Sequence, residues 1–177
     1  NKNNTKRCCF YYCGIIFSMK DFYSVYLCVS KAPLPLSFAV HGFFVIEKNN
    51  AQERYEVLSG CDGNCDYSIK GYVHRNKIPD FDGLPIIYLN KNINIGTWKS
   101  RIISKISGQK DSLAHEMYDY IKNNSDKYTH SEIYNLFFSN SNSYIKWILD
   151  AFPEWKVSLP WNAFGKKIKN RLSRNIY

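Results

Sequence analysis

The chain has 177 residues, of which 45% are hydrophobic and 16% aromatic. A chain of this length and apolar content can bury one core, which excludes global disorder and makes a single domain the expectation. Lysine and arginine number 24 against 15 aspartate and glutamate, a formal net charge of +9, and such a basic chain suits an anionic membrane surface or nucleic acid.

The first 22 residues form a lead segment that combines positive charge with a short apolar run. Lys6 and Arg7 precede residues 8–19, and Lys20 ends the run. A spanning helix needs about 20 apolar residues, which this run does not reach. The segment suits a signal remnant or anchor, or an element that covers the core. We place one domain at residues 23–168 and a basic tail at residues 169–177.

Strand patterns dominate the next part of the chain. Residues 24–30, 37–47 and 53–59 are rich in β-branched and aromatic residues and predict three strands, the last two joined as a hairpin. The linker at residues 32–36 holds two prolines, which keep it out of a sheet interior.

The loop after this hairpin contains Cys61 and Cys65. A zinc site prefers two paired elements of Cys or His, and this pair has no clear partner, since four of the six cysteines lie in the first 28 residues. We therefore predict neither a metal nor another cofactor, and we expect free thiols or, in an oxidising compartment, a local disulfide. Short strands are predicted at residues 68–74 and 85–89.

Helical patterns follow. In the clearest one Leu113, Met117 and Ile121 share a face, and Asp111 or Ser112 can cap it. The elements predicted in this half are helices at 97–106, 111–122 and 141–152 and a strand at 132–138. Antiparallel strands followed by helices predict an α+β fold.

A polar cluster of Asn140, Ser141 and Asn142 opens the last predicted helix. A helix N-terminus presents unpaired N–H groups and a partial positive charge, which can activate a hydroxyl and hold an oxyanion. The same residue types are preferred helix caps, so the cluster has a purely structural interpretation as well.

His41 is a lone imidazole in an otherwise apolar strand. It is either a core histidine or a general base, because its ordinary pKa lies close to physiological pH. A third residue that would orient the imidazole is left open among Glu56, Ser59, Asp62 and His74.

Several motifs resemble the signature of a bacterial family known as domain of unknown function 3750. Residues 38–48 contain its Ala-Val-His strand, and residues 54–57 its Tyr-Glu-Val return strand. Residues 140–144 match its Asn-Ser-Asn-Thr-Phe motif as Asn-Ser-Asn-Ser-Tyr, and residues 159–166 match its closing Leu-Pro, Ala, Gly-Lys segment. The resemblance is collinear from about residue 24 to residue 168.

The order of these motifs is similar, more distantly, to circularly permuted papain-like hydrolases of the NlpC/P60 and lecithin retinol acyltransferase groups. Those groups carry a histidine on a strand and an Asn-Cys-x-x-Phe motif that opens a late helix. The likeness implies a permuted papain-like architecture with Ser141 as the nucleophile, in place of cysteine, and His41 as the base. Asn140 and Asn142 would orient the imidazole or donate to an oxyanion.

Two hypotheses about function follow. The first is a hydrolase or acyltransferase for a small-molecule, lipid or peptide-type amide or ester. It requires the hydroxyl of Ser141 within reach of His41 and fails if the two lie on opposite sides of the sheet. The second is a catalytically inactive module held at an anionic membrane by its basic ends, with a bacterial envelope location favoured. Nucleic-acid binding rests on net charge alone, and the oligomeric state is left open.

Overall fold

The computed structural model describes residues 20–59, 71–87, 96–129, 134, 135, 137 and 139–167. The basic tail, Cys61, Cys65 and all but the last three residues of the predicted lead segment lie outside the described residues.

A five-stranded antiparallel sheet with the order β4-β3-β2-β1-β7 forms the framework. Its strands are β1 (Phe22–Lys31), β2 (Val40–Lys48), β3 (Ala51–Ser59), β4 (Gly71–Arg75) and β7 (Arg101–Gln109), and β5 (Asp82–Pro85) pairs with β6 (Thr97–Lys99) as a separate ribbon. The β2–β3 turn uses Asn49 and Asn50 at φ of 51° and 70°. Asparagine tolerates positive φ better than most residues, so the Asn-Asn pair explains this tight turn.

The helices are α1 (Leu113–Asn124) and α2 (Ser141–Ala151), with short 3-10 turns at Ser125–Lys127 and Pro153–Trp155. Both helices pack on one side of the sheet, which we call the helix face: α1 lies against β1 and β7, and α2 against β2 and β3. Strand residues on this face alternate along the chain, as the period of a strand requires. The main core contains Val25, Leu27, Phe44, Ile46, Tyr55, Val57, Met117, Ile121, Tyr144, Ile145 and Ile148.

The opposite side of the sheet, which we call the ribbon face, holds a second apolar cluster of Tyr26, Cys28, Phe43 and Val45 packed against Phe81. The β5–β6 ribbon lies over this side near the end of β1. The amide of Leu84 donates to the hydroxyl of Ser30 at 3.2 Å. The sheet is therefore covered on both faces, by helices on one and by the ribbon and its adjoining turn on the other.

The predicted helix at residues 97–106 is wrong. This stretch forms β6 and β7, and β7 pairs with β1 along its whole length with a bulge at Leu27 and Cys28. Ile102, Ile103 and Ile106 have a spacing compatible with a helix, but their β-branched side chains favour a pleated surface. Pairing with the edge of β1 decides between the two, and a local pattern contains no information about that edge.

The strand predicted at residues 68–74 overlaps β4, whereas the one predicted at 85–89 meets β5 only at Pro85, and Ile86 and Ile87 are not in a strand. Ser112 caps α1, accepting a hydrogen bond from the amide of His115 at 3.3 Å, as predicted. The predicted strand at 132–138 lies largely outside the described residues, and Tyr134 and Asn135 within it have no regular secondary structure. The α+β class is confirmed, and the permuted papain-like architecture stays a prediction. Among the described residues, no helix has the length and apolar character needed to cross a bilayer.

Candidate functional site

The polar cluster at the start of α2 forms a helix cap. The side chain of Asn140 accepts a hydrogen bond from the amide of Asn142 at 2.8 Å, and the hydroxyl of Ser143 accepts one from the amide of Asn140 at 2.7 Å. This reciprocal pair is a capping box, which satisfies backbone donors that a helix end otherwise leaves unpaired. Ser141 is the first residue of the helix and is buried.

Asn142 joins three parts of the fold. The nitrogen of its side-chain amide donates to the carbonyl oxygens of Val40 at 2.8 Å and Phe164 at 2.9 Å. Its side-chain oxygen is buried and has no hydrogen-bond partner among the described residues, and it lies 2.9 Å from the position that a Cβ on Gly42 would occupy. Gly42 is needed here because α2 approaches the backbone of β2 too closely for a side chain. The side-chain amide of Asn142 therefore holds α2 against β2 and against the C-terminal segment.

His41 belongs to a separate buried network on the ribbon face. Its Nε2 lies 2.7 Å from Oε2 of Glu56, and both side chains are almost completely buried. The sequence left four candidates for the partner of His41, and the structure selects Glu56 because β2 and β3 place both residues on the same face. The hydrogen bond orients the imidazole as an acidic partner orients a general base.

Arg54 completes this network, and the sequence interpretation missed it. Its Nη2 donates to Oε2 of Glu56 at 2.7 Å, and its Nη1 donates to the carbonyl oxygens of Pro79 at 3.1 Å and Asp82 at 2.5 Å. The guanidinium lies 3.6 Å above the ring of Phe43. The signal in the sequence was an arginine and a glutamate two apart on a predicted strand, a spacing that puts both on one face.

The charges in this network determine the state of Glu56. Burial alone raises the pKa of a carboxyl group, but the hydrogen bond and charge of His41, together with those of Arg54, outweigh burial and hold the pKa of Glu56 below its ordinary value. Glu56 is therefore a carboxylate that neutralises a buried guanidinium. The thiol of Cys28, on the same face of the sheet, is unreactive because burial raises its pKa to about 12.

The structure does not bring His41 and Ser141 together. Gly42 faces α2, and neighbouring residues of a strand point to opposite sides, so His41 faces away from the helix that Ser141 begins. The bond to Glu56 and the contact with the Phe43 ring, whose centroid lies 6.3 Å from that of the imidazole, keep His41 on the ribbon face. Asn140 and Asn142 lie with Ser141 on the helix side and do not orient the imidazole. This geometry therefore offers no Ser141–His41 pair for the hydrolase or acyltransferase expected from the sequence, and no comparison with known proteins supports that activity.

No group of three His, Cys, Asp or Glu suited to a metal ion occurs among the described residues. Nε2 of His115 lies 3.2 Å from a carboxylate oxygen of Asp119, which stands four residues further along α1. Cys61, Asp62 and Cys65 are not part of the described chain.

An exposed aromatic patch lies at the end of the sheet where β1 ends and β2 begins. We define the patch as Phe38, Phe137, Trp161 and Phe164. The ring of Phe164 lies 6.0 Å from that of Phe38 and 5.6 Å from that of Phe137. Trp161 is 82% exposed, Phe137 59% and Phe38 55%, so these large rings are presented to the surroundings rather than to the core.

Hydrogen bonds to backbone carbonyl oxygens hold the patch in place. The side chain of Asn162 donates to the carbonyl oxygen of Phe38 at 2.9 Å, and the amide of Val40 donates to the carbonyl oxygen of Asn162 at 3.2 Å. With the bond from Asn142 to Phe164, these contacts attach the C-terminal segment to both β2 and α2. Residues from three separate parts of the chain therefore form the patch, and hydrogen bonds between these parts hold it in place.

A family model described as protein of unknown function (DUF3750) matches residues 23–168. No curated protein and no solved structure matches the chain. The matched residues include the His41 strand, the Asn140 cap of α2 and the patch. Since the match covers most of its length, the chain belongs to the DUF3750 family.

Proposed function

We propose that the protein is a peripheral membrane-binding module that contacts an anionic lipid surface through the aromatic patch. The observation that carries the proposal is a group of exposed aromatic rings at one end of the sheet, in which Phe164 contacts both Phe38 and Phe137 and Trp161 is the most exposed. Soluble proteins seldom expose large contiguous apolar surfaces without a partner. The neighbouring Leu34 and Leu36, in the same loop as Phe38, are also exposed and extend the apolar area.

The charges around the patch favour a lipid surface over another apolar partner. Lys166 and Lys167 follow Trp161 and Phe164 closely in the chain, and the stretch 155–167 contains no aspartate or glutamate. Lys146 on α2 is paired with Asp150. Tryptophan and phenylalanine accompanied by lysines are typical of surfaces that enter the headgroup region of an anionic membrane.

The free-energy contributions expected from the rings and the lysines indicate reversible binding to the membrane. Complete burial of a phenylalanine side chain contributes about 1.5–3 kcal/mol, and these rings are already partly covered by the protein. Each lysine close to an anionic surface adds about 1 kcal/mol. Neither contribution alone holds a protein on a membrane, and the two together do so at low ionic strength.

The test is co-sedimentation with phosphatidylcholine vesicles that contain or lack phosphatidylglycerol. Wild-type protein is expected to bind the anionic vesicles, and binding should weaken as salt is raised because exposed charges are screened. Phe38→Ala combined with Lys167→Gln should weaken binding by about tenfold or more. Both side chains are exposed or partly exposed, so the variant should remain folded.

The matched control is Phe22→Ala combined with Lys110→Gln. Phe22 is 47% exposed and begins β1, so it lies about 30 Å along the strand from the patch end. This variant should bind like wild type. Equal losses in both variants would exclude the patch as the contact surface. Absence of wild-type binding to anionic vesicles would overturn the proposal.

A further inference from the structure

A groove opens between the C-terminal half of α2 and the segment that follows it. Its volume is about 320 Å³. Leu149, Pro153, Val157 and Leu159 give it an apolar floor, and Lys146, Asp150, Ser158 and Lys166 contribute its polar edges. The volume is at the lower end of the range for small-molecule sites, about 300–1,000 Å³.

The polar edges of the groove carry net positive charge. Lys146 forms an ion pair with Asp150 one turn further along α2. The ammonium of Lys166 donates to the carbonyl oxygens of Leu159 at 3.2 Å and Pro160 at 2.5 Å. An ammonium has three N–H donors, so both lysines retain donor capacity beyond these contacts. An anionic group can use that capacity without the loss of either existing contact.

The groove adjoins the aromatic patch. Pro160, whose carbonyl oxygen binds Lys166, directly precedes Trp161, and Lys166 follows Phe164 by two residues. The same short segment thus forms one wall of the groove and half of the patch. A molecule that lies in the groove while the patch contacts a membrane is presented from the lipid surface.

We infer that the groove binds one anionic phospholipid, with the phosphate at Lys146 and Lys166 and the glycerol and first acyl carbons on the floor formed by Leu149 and Leu159. This inference rests on the proposed membrane contact and adds a specific lipid site to it. The apolar floor distinguishes a phospholipid from a free anion, and the small volume leaves most of the acyl chains outside the groove.

The test uses dihexanoyl phosphatidylglycerol, a water-soluble lipid, in titrations below its micelle concentration, followed by the amide NMR signals of residues 157–159. Saturable binding is expected, with weaker binding of dihexanoyl phosphatidylcholine and of inorganic phosphate. Ser158 is exposed and lines the groove. Ser158→Glu should weaken binding about tenfold by repulsion, and the neutral matched variant Ser158→Gln should bind like wild type.

Equal binding by Ser158→Glu and wild type would overturn the groove assignment, and so would inorganic phosphate that binds as tightly as the lipid. Vesicle co-sedimentation without any binding of the soluble lipid would refute the lipid site in the groove and leave the proposed membrane contact intact. Binding of the soluble lipid without vesicle co-sedimentation would contradict the proposed membrane contact and leave the groove as a site for single lipids.

Discussion

Arg54 and Glu56 are the two most deeply buried charged residues of the described chain, each with 0% exposure. Burial of an ion is costly unless a partner and hydrogen bonds compensate it. Glu56 provides one carboxylate oxygen for both Arg54 and His41, and the carbonyl oxygens of Pro79 and Asp82 take up the other end of the guanidinium. The network therefore attaches the connection between β4 and β5 to the centre of the sheet.

Glu56→Gln should destabilise the protein by about 3–5 kcal/mol, because it leaves the buried guanidinium of Arg54 without its counter-charge. Urea unfolding measures the change. The matched control is Glu53→Gln on the same strand. Glu53 pairs with the more exposed Lys122 and Arg75, so its loss should cost about 1 kcal/mol or less. Similar costs at both positions would show that the Arg54 network is not the stronger pair.

The same network predicts an acid dependence. The pKa of Glu56 lies below its ordinary value of 4.5 in the folded protein, so folding favours the carboxylate. Its stabilisation is present above pH 4.5 and is lost as the pH falls through the lowered pKa. Unfolding free energies measured from neutral pH down into this acid range should fall less steeply for Glu56→Gln than for wild type. Identical slopes would refute the assignment.

At the scale of elements, the contact between α2 and β2 organises the helix face. Asn142 donates across this contact to Val40, and Ile145 packs into the same core as Phe44. Gly42 is the point of closest approach, since a Cβ there would lie 2.9 Å from Asn142 Oδ1 and 3.0 Å from Ile145 Cγ1.

Gly42→Ala is therefore expected to destabilise the protein by about 1–3 kcal/mol, the usual cost of overpacking a filled core. Thermal or urea unfolding checks this prediction. Ordinarily an alanine is favoured over glycine in a strand because glycine loses more conformational entropy on folding. A stabilising effect of Gly42→Ala would mean that α2 can move away from β2 without cost.

At the scale of the whole molecule, the two ends of the sheet differ in character. At the end where β1 begins, Asp21 pairs with Lys48 at 2.8 Å, and acidic and basic residues are mixed. At the opposite end the patch is aromatic, and Lys166 and Lys167 follow Phe164 with no acidic residue between them. Under the proposed membrane contact, this asymmetry would orient the protein with the patch toward the lipid and the long axis of β1 inclined toward the membrane.

This orientation predicts that Trp161 enters the lipid headgroup region. On addition of anionic vesicles, its fluorescence should shift to shorter wavelength and be quenched by brominated lipid, measured as the difference between wild type and Trp161→Phe. As a control, Phe22→Trp in the Trp161→Phe background places a reporter at the far end and should show neither effect. Quenching of the far-end reporter would contradict the orientation.

Local patterns were sufficient for much of the secondary structure. The β2–β3 hairpin, the amphipathic face of α1 and the caps Ser112 and Asn140 all depend on residues close together in the chain. Turn and cap preferences arise from contacts of a side chain with its own backbone, so they can be recognised without a fold. The α+β class followed from the order of these elements.

Local patterns failed where a distant partner decides the outcome. Residues 101–109 form a strand because the edge of β1 is there to pair with them, although their isoleucines also suit a helix. The choice of Glu56 as the partner of His41 depends on which face of the sheet each residue occupies. The same dependence separates His41 from Ser141, because a shift of one residue along a strand moves a side chain to the opposite face.

The sequence by itself determined the composition of this protein's surface and most of its elements: a basic chain, rich in aromatic residues, with antiparallel strands followed by helices. Only the tertiary structure decided which polar residues meet and which aromatic rings remain exposed. The physical reason is that faces and neighbours are properties of the assembled sheet. Phe38, Phe137 and Phe164 are far apart in the chain and form one surface only after β2, α2 and the C-terminal segment have packed together.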